Sequence, residues 1–143
     1  MFFLRLFPLF LLVISCIPAL AQTPADTLTT ASGLRYIWLL KAEGKKAKPG
    51  SKVEVAYLGR LQNGTLFEAS LSGPVKITLG KGEVIKGWEE MLLLMTEGDK
   101  VEVFIPADLA YGSKGLVHPT EDDQFTILPD TPLIFELELV KVK

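Results

Sequence analysis

A chain of 143 residues is long enough for one domain and too short for two, and its formal charge of -2 is mild. The absence of a lysine or arginine cluster argues against a nucleic-acid partner. One cysteine and one histidine leave neither a disulfide framework nor the ligand cluster that a zinc site needs.

Residues 1–21 read as a secretory signal peptide. Arg5 is the only charge there, Leu6 to Ile17 is almost wholly apolar, and Ala19-Leu20-Ala21 offers a small-x-small cleavage site before Gln22. A membrane anchor is the competing reading, but Pro8 and Pro18 keep the apolar run short of the ~20 residues that a spanning helix needs. Val13-Ile14-Ser15-Cys16 also resembles a bacterial lipobox, which would make Cys16 the anchored first residue of a lipoprotein. Periplasmic or otherwise exported placement is expected by either route. Cleavage after Ala21 removes Arg5 and no acid, so the charge moves from -2 to -3 and no cysteine remains.

Residues 22–31 are small, polar and aperiodic, a flexible leader, and the domain is expected to run from Ser32 to Lys143. Leu34, Tyr36, Trp38 and Leu40 alternate along one strand face. After the Lys48-Pro49-Gly50-Ser51 break, Val53, Val55 and Tyr57 alternate again. Asn63-Gly64 is a hairpin signal, with Thr65-Leu66-Phe67 returning from it. Val75 to Leu79 and Lys100 to Ile105 read as strands. Leu133, Phe135, Leu137 and Leu139, set against Glu136 and Glu138, make the clearest half-buried strand. Only Trp88, Met91, Leu92 and Met95 fall at helical spacing, with Gly98 as the stop. The expected fold is α+β: an antiparallel sheet of five to six strands wrapped around one short central helix.

Conventional chemistry is missing. His118 stands beside Pro119 in a segment reading as loop, a poor setting for a Ser-His-Asp triad. Gly80-Lys81-Gly82 with Gly87 fits no phosphate-binding pattern, because Ile85 occupies the last glycine position and no Gly-Lys-Ser/Thr follows. Glu121-Asp122-Asp123 lacks the alternation and central glycine of a calcium loop. What remains is aromatic: Tyr57, Phe67, Trp88, Tyr111 and Phe135 come from separate elements. Each alone would pass for core, but Trp88 opens a helix, where it can floor a cavity, and the tyrosine hydroxyls need partners if buried.

Four segments, in order and with kept spacing, resemble the FKBP family of peptidyl-prolyl cis/trans isomerases. They are VAYLGRLQNGTLFEAS (55–70), LGKGEVIKGWEEMLLLMTEGDK (79–100), FIPADLAYGSKG (104–115) and ILPDTPLIFELELV (127–140). The resemblance covers 32–143 and implies a proline-binding pocket lined by Tyr57, Phe67, Glu68, Val84, Ile85, Trp88, Tyr111, Ile127 and Phe135. In it Trp88 would be the floor, the Ile85 N–H and Tyr111 hydroxyl would hold the flanking carbonyls, and Tyr57 and Glu68 would complete the catalytic set. It also implies proline-containing polypeptides as substrates and macrolide FKBP ligands as further partners; the residue spacing points to no metal or other cofactor, and the short leader to a monomer. Three departures stand out: Glu68 replaces the family's usual Asp, Val75 replaces a pocket aromatic, and Ser113 to Thr126 is a long loop carrying Glu121-Asp122-Asp123 beside Phe125. These leave a non-catalytic binding or chaperone module for unfolded, proline-containing segments as the alternative to an enzyme.

Overall fold

The computed structural model describes residues 26–118 and 120–143; the stretch read as a signal peptide, with Cys16, and Pro119 lie outside the described residues. The strands are β1 (Leu28–Thr29), β2 (Arg35–Leu40), β3 (Lys52–Leu61), β4 (Leu66–Ala69) and β5 (Val75–Thr78). After helix α1 (Lys86–Leu94) come β6 (Lys100–Ile105), β7 (Leu116–His118), β8 (Glu121–Ile127) and β9 (Leu133–Val142). Seven strands form one antiparallel sheet in the order β1-β2-β6-β9-β3-β4, with β5 also paired to β3. The expected fold class holds.

The alternation along β9 explains its central place. Leu133, Phe135, Leu137 and Leu139 are buried, while Glu136 and Glu138 point to the other face. Such a strand has one apolar row to offer, and α1 meets it with Trp88, Met91 and Leu92, each at most 5% exposed. Met95, just past the helix, is fully buried as well. Gly87 lets the helix approach closely, since a Cβ there would lie 2.5 Å from Ile105 Cγ2. Register shifts in the β3–β4, β3–β9 and β2–β6 pairings add the local twist that curls a sheet around a helix.

Three expectations change. The first strand lies at Leu28–Thr29, within the stretch read as leader. It pairs with Tyr36 and Arg35 and so brings the sheet to seven strands. Two residues are too few to show a period, and backbone hydrogen bonds tie the segment down, among them Thr30 N–H to Leu34 O at 2.9 Å, with the Thr30 hydroxyl bonded to Ser32 Oγ. Leu40 leaves the face of Leu34 and is 51% exposed, because the β2–β6 register shifts between Trp38 and Leu40. The long loop of 113–126 is a β-hairpin, β7 against β8, with Leu116 opposite Ile127. Its acidic run carries no strand propensity, so the pairing is a backbone matter that residue types do not disclose.

Candidate active site

Strand β3 supplies the wall of a cleft and α1 its floor. Tyr57 stands edge-on to Trp88, with ring centroids 4.9 Å apart at 75°, and Phe135 stands edge-on to Trp88 at 5.2 Å and 88°. Edge-to-face contacts of this kind are preferred by aromatic quadrupoles and fix each ring's tilt. The three rings bound a cavity of about 320 Å³ that Glu68, Val75, Lys76, Ile77, Glu83, Val84, Ile85 and Tyr111 complete.

Of the nine expected pocket residues, seven line this cavity: Tyr57, Glu68, Val84, Ile85, Trp88, Tyr111 and Phe135. Phe67 and Ile127 do not. Phe67 packs against Phe135, with ring centroids 5.6 Å apart, and Ile127, the last residue of β8, is buried at 1% exposure. Phe67 thus supports the wall from behind. Lys76, Ile77 and Glu83 were not anticipated. Ile77 follows from the period-2 pattern of β5 once its register with Val53 is known, and Glu83 stays exposed at the rim, where its carboxylate accepts the Thr78 N–H at 2.9 Å.

The polar groups are few and each has a local cause. The Tyr57 hydroxyl donates to Glu68 Oε1 at 2.8 Å, across the β3–β4 pairing that sets Glu68 opposite Gly59. Glutamate therefore reaches the pocket tyrosine here. Burial, and then the Glu68 carboxylate, push the Tyr57 pKa up to about 12. Tyr111, at the start of a 3₁₀ turn (Gly112–Lys114), is also raised, first by burial and then by the charge of Glu68. Both phenols thus stay neutral donors at any physiological pH. The Tyr111 hydroxyl has no partner among the described residues, and Ile85 caps α1 through its carbonyl, which accepts from the Trp88 and Glu89 N–H groups at 3.0 and 3.2 Å. The indole Nε1 of Trp88 is buried without an acceptor. No group of three or more His, Cys, Asp and Glu converges among the described residues.

Gly59 sits where Phe67 and Phe135 meet, and a Cβ there would come within 2.6 Å of Phe135 Cε1 and 2.8 Å of Phe67 Cζ. Gly59→Ala is therefore expected to displace the Phe135 ring. Stability should fall by about 1–3 kcal/mol, a common cost of overpacking, with a rise in KM for ligands of the cleft. Denaturant midpoints and steady-state kinetics on the variant check this.

The sheet thus curls on one helix over an aromatic cleft that carries two neutral phenols. Comparison with known proteins narrows the class. Residues 43–140 match the family described as FKBP-type peptidyl-prolyl cis-trans isomerase. The macrophage infectivity potentiator of Trypanosoma cruzi is 41% identical over 119 residues, which are 82% of this chain and 57% of that protein. The peptidyl-prolyl cis-trans isomerase Fkbp12 of Drosophila melanogaster is 42% identical over 114 residues, covering 78% of this chain and 99% of that one. The crystal structure of a peptidyl-prolyl cis-trans isomerase from Pseudomonas syringae superposes with a TM-score of 0.71 at 36% identity, covering 85% of this chain and 84% of that one. The chain belongs to the FKBP-type peptidyl-prolyl cis-trans isomerase family. It spans little more than half of the Trypanosoma cruzi relative, and 30% of FK506-binding protein 4 of Dictyostelium discoideum.

Proposed function

We propose that this protein accelerates cis/trans isomerisation of X–Pro bonds in exported polypeptides by binding the twisted amide in the cleft over Trp88. The observation that carries the reading is the Tyr57–Trp88–Phe135 box beside two neutral hydroxyls. Rotation about an X–Pro bond breaks amide resonance and faces a barrier of ~18–20 kcal/mol. The planar amide is charge-separated and favours water, whereas the twisted amide has lost much of that separation. An apolar cleft thus binds the twisted form better than the planar one, and differential binding is sufficient for catalysis. The Ile85 N–H and the Tyr111 hydroxyl hold the flanking carbonyls, so that rotation is confined to the target bond. Glu68 keeps the Tyr57 ring in place through its hydrogen bond. Export rests on the composition of residues 1–21, with lipid anchoring at Cys16 the variant of the same reading.

The alternative is a binding or chaperone module that holds proline-containing segments without turning them over. Val75, an aliphatic wall where an aromatic would grip harder, is the observation in its favour. Isomerisation of a short X–Pro peptide by the purified protein, with and without a macrolide FKBP ligand, separates the two. Ligand-sensitive acceleration is expected; a folded protein that binds the peptide and leaves its rate unchanged is the module. Tyr111→Phe removes only the hydroxyl and is expected to lower kcat/KM about 5- to 30-fold, the equivalent of one lost hydrogen bond of about 1–2 kcal/mol. Its thermal midpoint should stay at the wild-type value. Wild-type turnover from that variant would remove the hydroxyl from the mechanism.

A further inference from the structure

Strand β3 changes partner beside the cleft. Its first half pairs with β5 as far as Val55, opposite Val75, and its second half pairs with β4 from Leu58, opposite Ala69. Ala56 and Tyr57 fall in the gap between the two. On the other edge the pairing with β9 continues through both residues, Ala56 opposite Glu138 and Tyr57 opposite Leu137. A backbone N–H or C=O that loses its ladder partner at such a junction needs another, because an unpaired one is costly once buried.

Ser70 supplies it. Its backbone N–H donates to the Tyr57 carbonyl at 3.0 Å, as a ladder residue would. Its own carbonyl is turned instead to the Gly73 N–H, at 3.3 Å, in a turn that Gly73 closes with φ +113. The side chain takes the carbonyl's place. Ser70 Oγ accepts the Tyr57 N–H at 2.8 Å, and its hydroxyl donates to Tyr57 O at 3.3 Å. A short hydroxyl can do both, since it is donor and acceptor at once and lies close to the backbone.

Tyr57 is thereby held at both ends. Glu68 takes its phenol hydroxyl at 2.8 Å, and Ser70, two residues on, takes its backbone. Between these points the ring meets Trp88 at 4.9 Å and Phe135 at 6.3 Å. Ser70 does not line the aromatic cavity. It borders a separate hollow of about 190 Å³ with Ala56, Tyr57, Leu58, Glu136 and Glu138.

We propose that Ser70 is a positioning residue for the isomerisation: its hydroxyl stands in for a missing strand partner and so sets the angle at which Tyr57 enters the cleft. The inference rests on the prolyl-isomerase reading and adds to it a residue outside the pocket. The tyrosine ring is a long lever on its Cα. A small backbone shift at the junction therefore moves the hydroxyl most, away from Glu68 and off the edge of Trp88. Because Tyr57 is a wall of the cleft, the effect falls mainly on how well the proline segment is bound.

The test compares Ser70→Ala, Ser70→Thr and Asp99→Asn with the wild type, below the lowest thermal midpoint of the set. Each is assayed for isomerisation of a short X–Pro peptide and for binding of that peptide by fluorescence anisotropy. Asp99 is buried and does not line the cleft, so Asp99→Asn controls for lost stability by itself. Ser70→Ala is expected to lower kcat/KM about three- to tenfold, the effect of one lost hydrogen bond, mostly through KM and with a matching rise in Kd. Ser70→Thr keeps the hydroxyl and should recover most of the loss, and Asp99→Asn should keep the wild-type KM. Ser70→Cys, close in shape but a weak acceptor, replaces the alanine variant with the same expectation if that one does not fold. A wild-type KM from Ser70→Ala, a loss no larger than that of Asp99→Asn, or a stable Ser70→Thr with the alanine variant's KM would overturn the assignment. If the wild type binds the peptide without turning it over, the isomerase reading fails by itself, and the Kd ratios decide the role of Ser70 in the same way.

Discussion

Trp88→Ala is expected to reduce both stability and activity more than any other change in the cleft. The indole is 5% exposed and touches Tyr57 and Phe135 edge-on, so truncation empties the centre of the aromatic box and leaves two rings without their common partner. Buried Trp→Ala changes cost about 3–5 kcal/mol, a large part of a domain's total of about 5–15. Loss of the floor removes the apolar surface against which a twisted amide is favoured, and a fall in kcat/KM of about a hundredfold, roughly 2.7 kcal/mol of transition-state binding, is expected. Trp88→Phe keeps an aromatic floor and separates the two effects. It should recover most of the stability and only part of the rate. Chemical denaturation and peptide isomerisation on both variants, below the lower melting temperature, give the comparison. A Trp88→Ala protein that is folded and fully active would place catalysis elsewhere.

The second large effect lies outside the cleft. Asp99 is completely buried, and its carboxylate accepts from the Ala42 N–H at 2.7 Å, the Thr96 N–H at 2.8 Å and Lys41 Nζ at 2.7 Å. Its own backbone carbonyl takes the Leu139 N–H, and the neighbouring Gly98 N–H gives to Leu139 O. The side chain ties the residues after α1 to the strand exit at Ala42, and the backbone of Gly98 and Asp99 ties them to β9. Asp99→Ala leaves two buried N–H donors unpaired, at about 1–3 kcal/mol each, so a loss of about 3–5 kcal/mol is expected. Asp99→Asn should lose less, because its carbonyl still serves one donor.

The same carboxylate makes a pH prediction. Burial by itself would raise the Asp99 pKa, but the Lys41 and backbone hydrogen bonds outweigh it and hold the value below that of a free aspartate. A group depressed in the folded state stabilises above its unfolded pKa of about 4, and that stabilisation is lost as pH falls through the folded value. The stability gap between wild type and Asp99→Asn should accordingly be full at pH 7 and 5 and shrink below about pH 4. Urea titrations at the three pH values measure it, and a gap constant down to pH 2 would contradict the assignment.

Neither effect is equally visible before folding. The β9 alternation, the Asn63-Gly64 turn and the α1 spacing are local patterns, and each folds as its period requires; Gly64 has φ +88, and Asn63 Oδ1 accepts the Thr65 N–H at 3.0 Å. Asp99, by contrast, is a lone acid after a glycine. Nothing adjacent says that residues 57 and 58 positions away will surround it. Phe67 and Ile127 show the same limit from the other side: correct in type, they stand off the cleft lining because strand register, which no single strand carries, sets them there.

What the sequence by itself determined was the class of fold, the family and most of the aromatic cleft, because periodicity and ordered motifs are properties of neighbouring residues. Tertiary structure alone decided the Tyr57–Glu68 pairing, the burial of Asp99, the β7–β8 hairpin and the hold of Ser70 on Tyr57. Each depends on which residue of one strand stands opposite which residue of another, and that choice is made by the packing of the whole sheet around α1 rather than by any segment of the chain.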